Sequence, residues 1–454
     1  MPLADAAAQK VTPALPGGRR GSTHRPVLLA LGWPGPALGV PLFALRPAHW
    51  LQSRPVLQRL SPPGPLMSTK SRRPYWLALL AAALAFGMGP SFATEGGTQH
   101  TNGRHEDSRH TDTRRKVIID QDAFGPAGSN MQAILMLLQA KDVEVLGITV
   151  PSGDGWRDEE VSHALRLLEV AKRTEVPVYA GAVWPLVQTP ELVKKWESLY
   201  GKLYYNGAWT EKWPDQGAVS RTPHHDDPYL VPDSPAGTPK IKAAQGSAVD
   251  FLIRKVHEFP GEVTLIAAGP MTDLALAARL DPEFAGLAKE LVFMGGSYNP
   301  TPADNAFAAE YANTPRREFN MRWDPEAAHI VLHEHWKHIT QVPVDPTTRT
   351  LWKPEYIKQV ATGQAPFDAY LGQFGQTFPM WDELAVAVWL DPSIVTNSQV
   401  LKIDVGTTFG PNYGDSLSWS DNEAPGLGEQ SAQVVFAVDV PKFEHMALDL
   451  LMAP

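Results

Sequence analysis

The chain has 454 residues, 43% of them hydrophobic and 20% charged, which is enough apolar material to bury the core of one large domain. It contains no cysteine, so disulfide bonds, thiolate zinc sites, iron–sulfur clusters and a cysteine nucleophile are excluded. Its formal net charge of −9 argues against a general nucleic-acid-binding protein.

The first 93 residues differ in charge from the rest of the chain. They carry a net charge of +9, whereas the remainder carries −18. Residues 1–66 are rich in Pro, Arg, Gly, Ala and Leu and show no steady period. Because a signal-like segment follows Met67, we expect residues 1–66 to be upstream read-through ahead of the true start; a disordered extension is the alternative.

Residues 67–93 have the pattern of a signal peptide. The basic stretch KSRRPYW precedes an apolar run, and SFA then places small residues at both positions that a signal peptidase reads. The paired arginines also resemble a twin-arginine signal. The alternative to a cleaved signal peptide is an uncleaved membrane anchor. The polar segment 94–114 predicts a flexible leader. We therefore expect an exported, periplasmic protein that uses the Sec or twin-arginine route and keeps no stable membrane anchor after cleavage.

Short apolar runs alternate with amphipathic stretches in the rest of the chain. The runs predict strands at 117–120, 143–150, 176–181, 263–269 and 290–296. The amphipathic stretches predict helices at 131–140, 159–171, 248–257 and 274–280. This alternation indicates a doubly wound α/β domain, with a mostly parallel open sheet, over residues 115–454. The aromatic, proline-rich segment 188–245 is expected to be an irregular insertion or lid.

Acidic residues follow the strands or open a later helix. Parallel strands end at one edge of a sheet, so these side chains are expected to converge there. Carboxylates in one place repel one another, and a hard cation such as Ca²⁺ binds them through oxygen. Helix capping is the ordinary alternative for such residues and for Ser129 and Asn130. The acidic positions are Asp120, Asp122, Asp154, Asp273 and Asp382.

Six segments in order resemble the inosine–uridine-preferring nucleoside hydrolases, and together they span roughly 115–454. They are VIIDQDAFGPAGSNMQAILMLL, LGITVPSGD, VTLIAAGPMTDLALAARLDPEFA, LVFMGGS, REFNMRWDPEAAHIV and WDELAVAVWLDPSIV. The resemblance implies a Rossmann-like fold and an N-ribosyl hydrolase that uses Ca²⁺ and a deprotonated water to release the base from a small-molecule nucleoside. It also implies a homo-oligomer, either a dimer or a tetramer.

The same resemblance assigns roles to individual residues. Asp122 corresponds to the general base, which is also a metal ligand, and Asp120 to a carboxylate that supports it. Asp382 and the backbone carbonyl of Thr272 correspond to further metal ligands. Positions that would hold the ribose are Asp154, Asn313, Glu318 and Asn320, with Asp154 standing where the family usually has Asn.

Two departures from the family pattern bear on activity. The family's adjacent Asp pair is replaced by Ser129, at the ribose-binding place, and Asn130, which offers Ca²⁺ a neutral amide oxygen. Trp381 stands where some members have a proton-donating His, and its indole is expected to stack on the base instead. These changes leave two alternatives open: a non-catalytic periplasmic nucleoside- or sugar-binding protein, or a hydrolase of another ribosyl or glycosyl compound.

Three other groups of side chains have weaker patterns. The run His224–Asp227 is expected to be an exposed polar loop, with metal binding or acid catalysis as the alternative. His329 and His333 have a spacing that suits zinc, but without an evident third ligand they are expected to be surface residues. Aromatic residues of the insertion are expected either to line a pocket or to pack the loop; they are Trp196, Tyr200, Tyr204, Tyr205 and Trp209.

Overall fold

The computed structural model describes residues 113–211, 221–300 and 316–454. The expected read-through, the expected signal peptide, nearly all of the expected leader and Asn313 lie outside the described residues. Within those three ranges, no helix has both the length and the apolar character needed to span a bilayer.

The strands of the described ranges form a single mixed sheet. They are β1 Arg115–Asp120, β2 Val143–Val150, β3 Val178–Ala180, β4 Val263–Ala267, β5 Glu290–Met294, β6 Ile339–Val342, β7 Val395–Val405, β8 Ser416–Trp419 and β9 Ser431–Val438. Their order is β3-β2-β1-β4-β5-β6-β9-β7-β8. In this sheet order, each pair of neighbouring strands between β3 and β9 is parallel. Strand β7 runs antiparallel to both of its neighbours, β9 and β8.

Helices cover both faces of this sheet. They are α1 Ser129–Gln139, α2 Arg157–Val170, α3 Pro190–Tyr200, α4 Ala248–Glu258, α5 Thr272–Leu280, α6 Phe284–Leu287, α7 Phe319–Trp323, α8 Pro325–Leu332, α9 Val344–Thr347, α10 Pro354–Val360, α11 Asp368–Phe374, α12 Trp381–Leu390 and α13 Val440–Leu451. Short 3₁₀ turns lie at Gly207–Trp209 and Pro392–Ile394. Two apolar clusters result, one on each face, so the central strands are buried on both sides.

The chain order reverses beside β1. Strands β2 and β3 extend the sheet to one side of β1, whereas β4, β5 and β6 extend it to the other. In such sheets ligands bind outside the carboxyl ends of the strands where the direction changes. Asp122 follows β1 and Thr272 follows β4, so both lie at this crevice.

The prediction of a doubly wound, mostly parallel α/β fold is confirmed. Each of the nine predicted elements is present with the predicted type, and no bound differs from the prediction by more than two residues. Strands β6 and β9 and the antiparallel strands β7 and β8 were not predicted. The segment 188–245 contains helix α3, which begins with Thr189 accepting a hydrogen bond from the backbone of Leu192, so this segment is only partly irregular.

Candidate active site

A cleft of about 1110 Å³, including the open space at its mouth, lies at the carboxyl ends of the central strands. Eight of the residues assigned from the sequence line it: Asp122, Ser129, Asn130, Asp154, Glu318, Asn320, Trp381 and Asp382. They come from five separate segments of the chain, so the fold brings together side chains that the sequence suggested only as separate strand ends and helix starts. Asp120 and Thr272 lie buried outside the lining.

Asp122 is held in a tight space. Its Oδ2 accepts a hydrogen bond from the backbone of Asp154 at 3.0 Å, and its Oδ1 accepts one from the Asn130 amide at 3.1 Å. A Cβ on Gly153 would lie 2.3 Å from Asp122 Oδ2, and one on Gly269 would lie 2.6 Å from the Asp122 backbone nitrogen. Only glycine at these two positions lets the neighbouring loops approach the carboxylate so closely.

Two metal-ligand candidates face each other across Gln121. The Gln121 amide nitrogen lies 3.2 Å from Asp122 Oδ1 and 3.1 Å from Asp382 Oδ2. Burial raises the pKa of Asp122 well above its usual range, and the carboxylates of Asp154 and Asp382 raise it further. Burial likewise raises the pKa of Asp382, with Asp154 adding to the effect. The three carboxylates therefore repel one another in a site that a cation would stabilise.

Ser129 does not cap its helix. The residue before α1 is Gly128, and no side chain caps that end. The Ser129 hydroxyl accepts a hydrogen bond from the backbone of Asp382 at 3.0 Å and donates one to Oε2 of Glu383. Asp382 does not cap α12 either, because Met380 holds that position. The capping explanation is therefore wrong for both side chains, which connect α1 to α12 inside the cleft wall.

Asn130 points its amide into the carboxylate cluster. Its Nδ2 donates to the Asp122 backbone oxygen at 2.8 Å and to Asp122 Oδ1 at 3.1 Å. The assignment of nitrogen and oxygen in an amide follows from its hydrogen-bond partners. A half-turn of the amide group would present Oδ1 to the same point, which is the orientation that a cation requires. The role of Asn130 as a ligand stays a prediction.

Asp154 belongs to a cluster that the sequence did not suggest. Its Oδ1 accepts a hydrogen bond from the Tyr205 hydroxyl at 2.9 Å, and Arg221 donates to that hydroxyl at 3.1 Å. The Arg221 guanidinium also lies 4.8 Å from the centre of the Phe124 ring. Burial raises the pKa of Asp154, while the charge of Arg221 opposes the rise. Arg221 therefore offsets part of the negative charge of Asp154.

Glu318 and Asn320 are fixed by backbone groups. Glu318 caps α7 by accepting hydrogen bonds from the backbone of Asn320 and Met321, and its Oε2 also accepts one from Gly296 at 3.0 Å. Burial raises the pKa of Glu318, and these three donors oppose the rise. Asn320 donates its amide to the backbone oxygen of Met294 at 3.1 Å. Both side chains thus line the cleft in fixed orientations.

Beneath the cleft, Asp120 and Thr272 support its floor. Asp120 accepts a hydrogen bond from the Thr149 hydroxyl, and burial together with the Asp273 carboxylate raises its pKa well above the usual range. Burial raises the pKa of Asp273 to about 6. The Thr272 hydroxyl donates to Asp324 Oδ2 at 2.8 Å, which ties the start of α5 to the start of α8.

Aromatic rings form one wall of the cleft. Trp381 is nearly parallel to Phe378, with an angle of 13° between the ring planes and 6.4 Å between ring centres. From the insertion, Tyr204 and Tyr205 line the cleft. Trp209 instead stacks on Trp323, which supports the packing interpretation for that residue. The wall offers flat apolar surfaces to a planar ligand.

The remaining aromatic and histidine candidates lie away from the cleft lining. Trp196 is buried and donates to the backbone of Gly410 at 2.7 Å, and Tyr200 is exposed. His225 lies 3.2 Å from Glu159, and His224 lies 3.1 Å from Asp226. The geometry therefore supports a polar loop for this pair, but the two histidine side chains are half-buried and not exposed as expected.

An open parallel sheet with oxygen donors gathered outside β1 and β4 defines a Rossmann-like α/β protein with an acidic ligand cleft. The donors are carboxylates and amides, which fit a hard cation, and Oε1 of Gln121 is buried without a hydrogen-bond partner among the described residues.

Residues 117–445 match the model of the inosine-uridine preferring nucleoside hydrolases. The probable uridine nucleosidase 2 of Arabidopsis thaliana is 33% identical over 362 residues, covering 75% of this chain and 98% of that protein. The inosine-uridine preferring nucleoside hydrolase of Crithidia fasciculata is 29% identical over 352 residues, covering 74% and 97%. A solved plant nucleoside hydrolase shares the fold, with a TM-score of 0.57 and 24% identity, covering 75% of this chain and 99% of that one.

The chain belongs to the inosine-uridine preferring nucleoside hydrolase family. It is an N-ribosyl hydrolase, an enzyme that converts nucleosides to free base and ribose. The family is metal-dependent, and the oxygen donors of the cleft agree with that requirement.

Proposed function

We propose that this chain is an exported, calcium-dependent nucleoside hydrolase in which Asp122 acts as the general base. The observation that carries the proposal is the pairing of Asp122 and Asp382 across Gln121 at the carboxyl ends of the central strands. Asp122 is buried, and its carboxylate is held by backbone and amide donors. Such a fixed carboxylate, whose pKa is raised, is well suited to take a proton from water.

Asp122, Asp382, the Asn130 amide oxygen and the Thr272 backbone carbonyl are the groups that would hold Ca²⁺. When bound, calcium lowers the pKa of water and gives the sugar hydroxyls a positive partner. Gln121 separates the two carboxylates and donates to both, so it keeps them at a fixed spacing. Asp120 supports the end of β1 from below.

The sugar is held by side chains on three sides of the cleft. Glu318 and Asn320 come from α7, Asp154 follows β2, and Ser129 begins α1. We also assign a sugar contact to Asn313, which rests on the family resemblance alone. The carboxylates supply negative charge where the sugar ring becomes positive as the glycosidic bond breaks, and this charge stabilises the transition state.

The base is assigned to the aromatic wall. Trp381 and Phe378 offer nearly parallel faces on which a purine or pyrimidine can stack. An indole N–H does not give up its proton at neutral pH, so Trp381 holds the base and leaves its protonation to water or to another group. Tyr205 and Arg221 are side chains of the insertion that reach this cleft.

We further propose that the protein is exported to the periplasm and assembles as a dimer or tetramer. Export is supported by the signal-like pattern of residues 67–93, and the absence of cysteine is compatible with that compartment. The oligomer is supported only by family resemblance.

The first experiment measures free ribose released from a panel of purine and pyrimidine nucleosides, with calcium and with a calcium chelator. We expect release that the chelator abolishes and that Asp122→Asn lowers by at least about 100-fold. Asp421→Asn is the matched control because this exposed carboxylate lies in the β8–β9 region, away from the cleft. Folded, calcium-loaded protein that binds a nucleoside without releasing ribose would refute the proposal and favour a binding protein. Release that survives both the chelator and Asp122→Asn would refute the assigned mechanism.

A further inference from the structure

Two histidines and one aspartate converge away from the cleft. His329 lies in the last turn of α8, His333 ends that helix, and Asp404 lies in β7. His329 Nδ1 is 2.8 Å from Asp404 Oδ1, and His333 Nε2 is 3.1 Å from Asp404 Oδ2. Asp404 therefore supplies a third candidate metal ligand, which the spacing of the two histidines in the sequence could not identify.

The geometry of these three groups suits a transition metal. Their donor atoms all lie within 4.8 Å of one another. Two imidazoles and one carboxylate form a donor set that binds zinc, with the fourth position left for water. A backbone N–H from Val405 donates to Asp404 Oδ1 at 2.8 Å and fixes the carboxylate. The site is therefore held in place before any ion arrives.

The burial of the cluster is uneven. The side chains of His333 and Asp404 are 15% and 12% exposed, whereas that of His329 is 39% exposed. An ion can therefore enter from the His329 side, where a water ligand would face solvent. The loop containing Gly428 closes the other side, because a Cβ there would lie 2.9 Å from His333 Nδ1.

We propose that His329, His333 and Asp404 bind one zinc ion that clamps α8 to β7. The charge of Glu429 favours a cation here, and that of Arg279 opposes it. Arg279 is itself paired with Glu334 at 2.8 Å.

The clamp would stabilise a helix that also supports the cleft. Asp324, which caps the start of α8, accepts hydrogen bonds from the Thr272 hydroxyl at 2.8 Å and from the Leu186 backbone at 2.9 Å. Zinc at the far end of α8 therefore acts on stability and leaves the chemistry of the cleft to other residues.

The test is zinc titration calorimetry of the whole protein in excess calcium, which occupies the oxygen donors of the cleft. We expect one zinc equivalent, and we expect His333→Ala to weaken binding by at least about 10-fold. His445→Ala is the matched control because His445 and Asp449 form an exposed pair, 3.3 Å apart, on a single helix. Zinc should raise the melting temperature of the wild type and the control but not that of His333→Ala.

A second measurement keeps the proposal testable if the His333→Ala variant fails to fold. Asp404→Asn keeps the size of the side chain and removes its charge, and cobalt replaces zinc as a visible probe. We expect the intense absorption of four-coordinate cobalt in the wild type and its loss in Asp404→Asn. Equal zinc affinity in wild type and His333→Ala, or equal cobalt spectra in wild type and Asp404→Asn, would overturn the proposal.

Discussion

Ser129 donates its hydroxyl hydrogen to Glu383, and the same hydroxyl oxygen accepts the backbone N–H of Asp382. Ser129 stands where the family resemblance places a carboxylate. Glu383 is fully buried, and its Oε1 has no hydrogen-bond partner among the described residues. A carboxyl group carried by α12 therefore lies beside the position that lost one on α1. Burial raises the pKa of Glu383 well above its usual range, and the hydrogen bond from Ser129 favours its charged form.

Replacing Glu383 with Gln tests whether this charge matters. Gln keeps an oxygen that can accept the Ser129 hydrogen bond, so the change removes charge with little loss of shape. We expect calcium affinity to fall by at least about 10-fold, with a similar fall in kcat/KM. Calorimetry of calcium binding and a ribose-release assay measure the two effects.

The exposed Glu355 on α10 provides the control for that experiment. Glu355→Gln removes the same charge far from Ser129 and should leave calcium affinity unchanged. Glu383→Asp should restore part of the affinity that Glu383→Gln loses. Calcium affinity that is equal in Glu383→Gln and in the wild type would show that Glu383 serves packing alone.

Gly153 provides a steric test of the position of Asp122. A methyl group at Gly153 would lie 2.3 Å from Asp122 Oδ2 and 2.6 Å from its Cβ, so the carboxylate must move. A displacement of about 1 Å at a reacting group costs on the order of 100-fold in rate, and we expect that loss in kcat for Gly153→Ala. Gly286→Ala is the control because a Cβ there meets nothing within 4 Å. Full activity in a folded Gly153→Ala protein would contradict the role of Asp122.

Tyr205 tests the cluster around Asp154. Tyr205→Phe removes the hydroxyl that donates to Asp154 Oδ1 at 2.9 Å. Hydrogen bonds to charged groups contribute about 1.5–3 kcal/mol, so we expect kcat/KM to fall by about 10-fold or more. Tyr204→Phe is the matched control, since Tyr204 lines the same cleft and is 39% exposed. Steady-state kinetics on the preferred nucleoside decide the matter: equal losses in the two variants would show that the contact with Asp154 is unimportant.

The sequence predicted those parts of the site that depend on regular periodicity. Asp122 and Asp154 follow strands of clear pattern, so their convergence follows from a parallel sheet. Arg221 comes from a segment without a period, and its partner Tyr205 lies 16 residues away in the chain. Glu383 and Ser129 are 254 residues apart, and Asp404 is 71 residues from His333. Such pairings depend on tertiary contacts that no local pattern encodes.

The edge of the sheet was missed for a different reason. β7 is 11 residues long and largely exposed over its first half, and it mixes polar and apolar residues. A half-exposed antiparallel strand lacks the continuous apolar run that identified the buried parallel strands. Its position became clear only through its pairing with β9 and β8.

His163 gives a prediction about acid sensitivity. It is buried behind the loop that follows Asp122, and its Nδ1 accepts a hydrogen bond from the Gly125 backbone at 2.9 Å. Burial and, to a smaller extent, the charge of Arg221 together lower the pKa of His163 to about 3. The folded protein therefore keeps His163 neutral at pH values where the unfolded chain, with an ordinary pKa of about 6.5, takes up a proton.

The sign of the effect follows from this difference in bound protons. Between about pH 6.5 and pH 3 the unfolded chain binds more protons at this position, so the free energy of unfolding falls as the pH falls. At pH 5 this effect makes the free energy of unfolding about 2 kcal/mol lower than at neutral pH. His163→Asn keeps an acceptor near Gly125 and cannot be protonated, so its stability should fall less between pH 7 and pH 5. Denaturant unfolding at both pH values measures how much the free energy of unfolding changes with pH in each variant, and the exposed His445→Asn serves as the control. Parallel pH dependence in wild type and His163→Asn would mean that His163 is not kept neutral by burial.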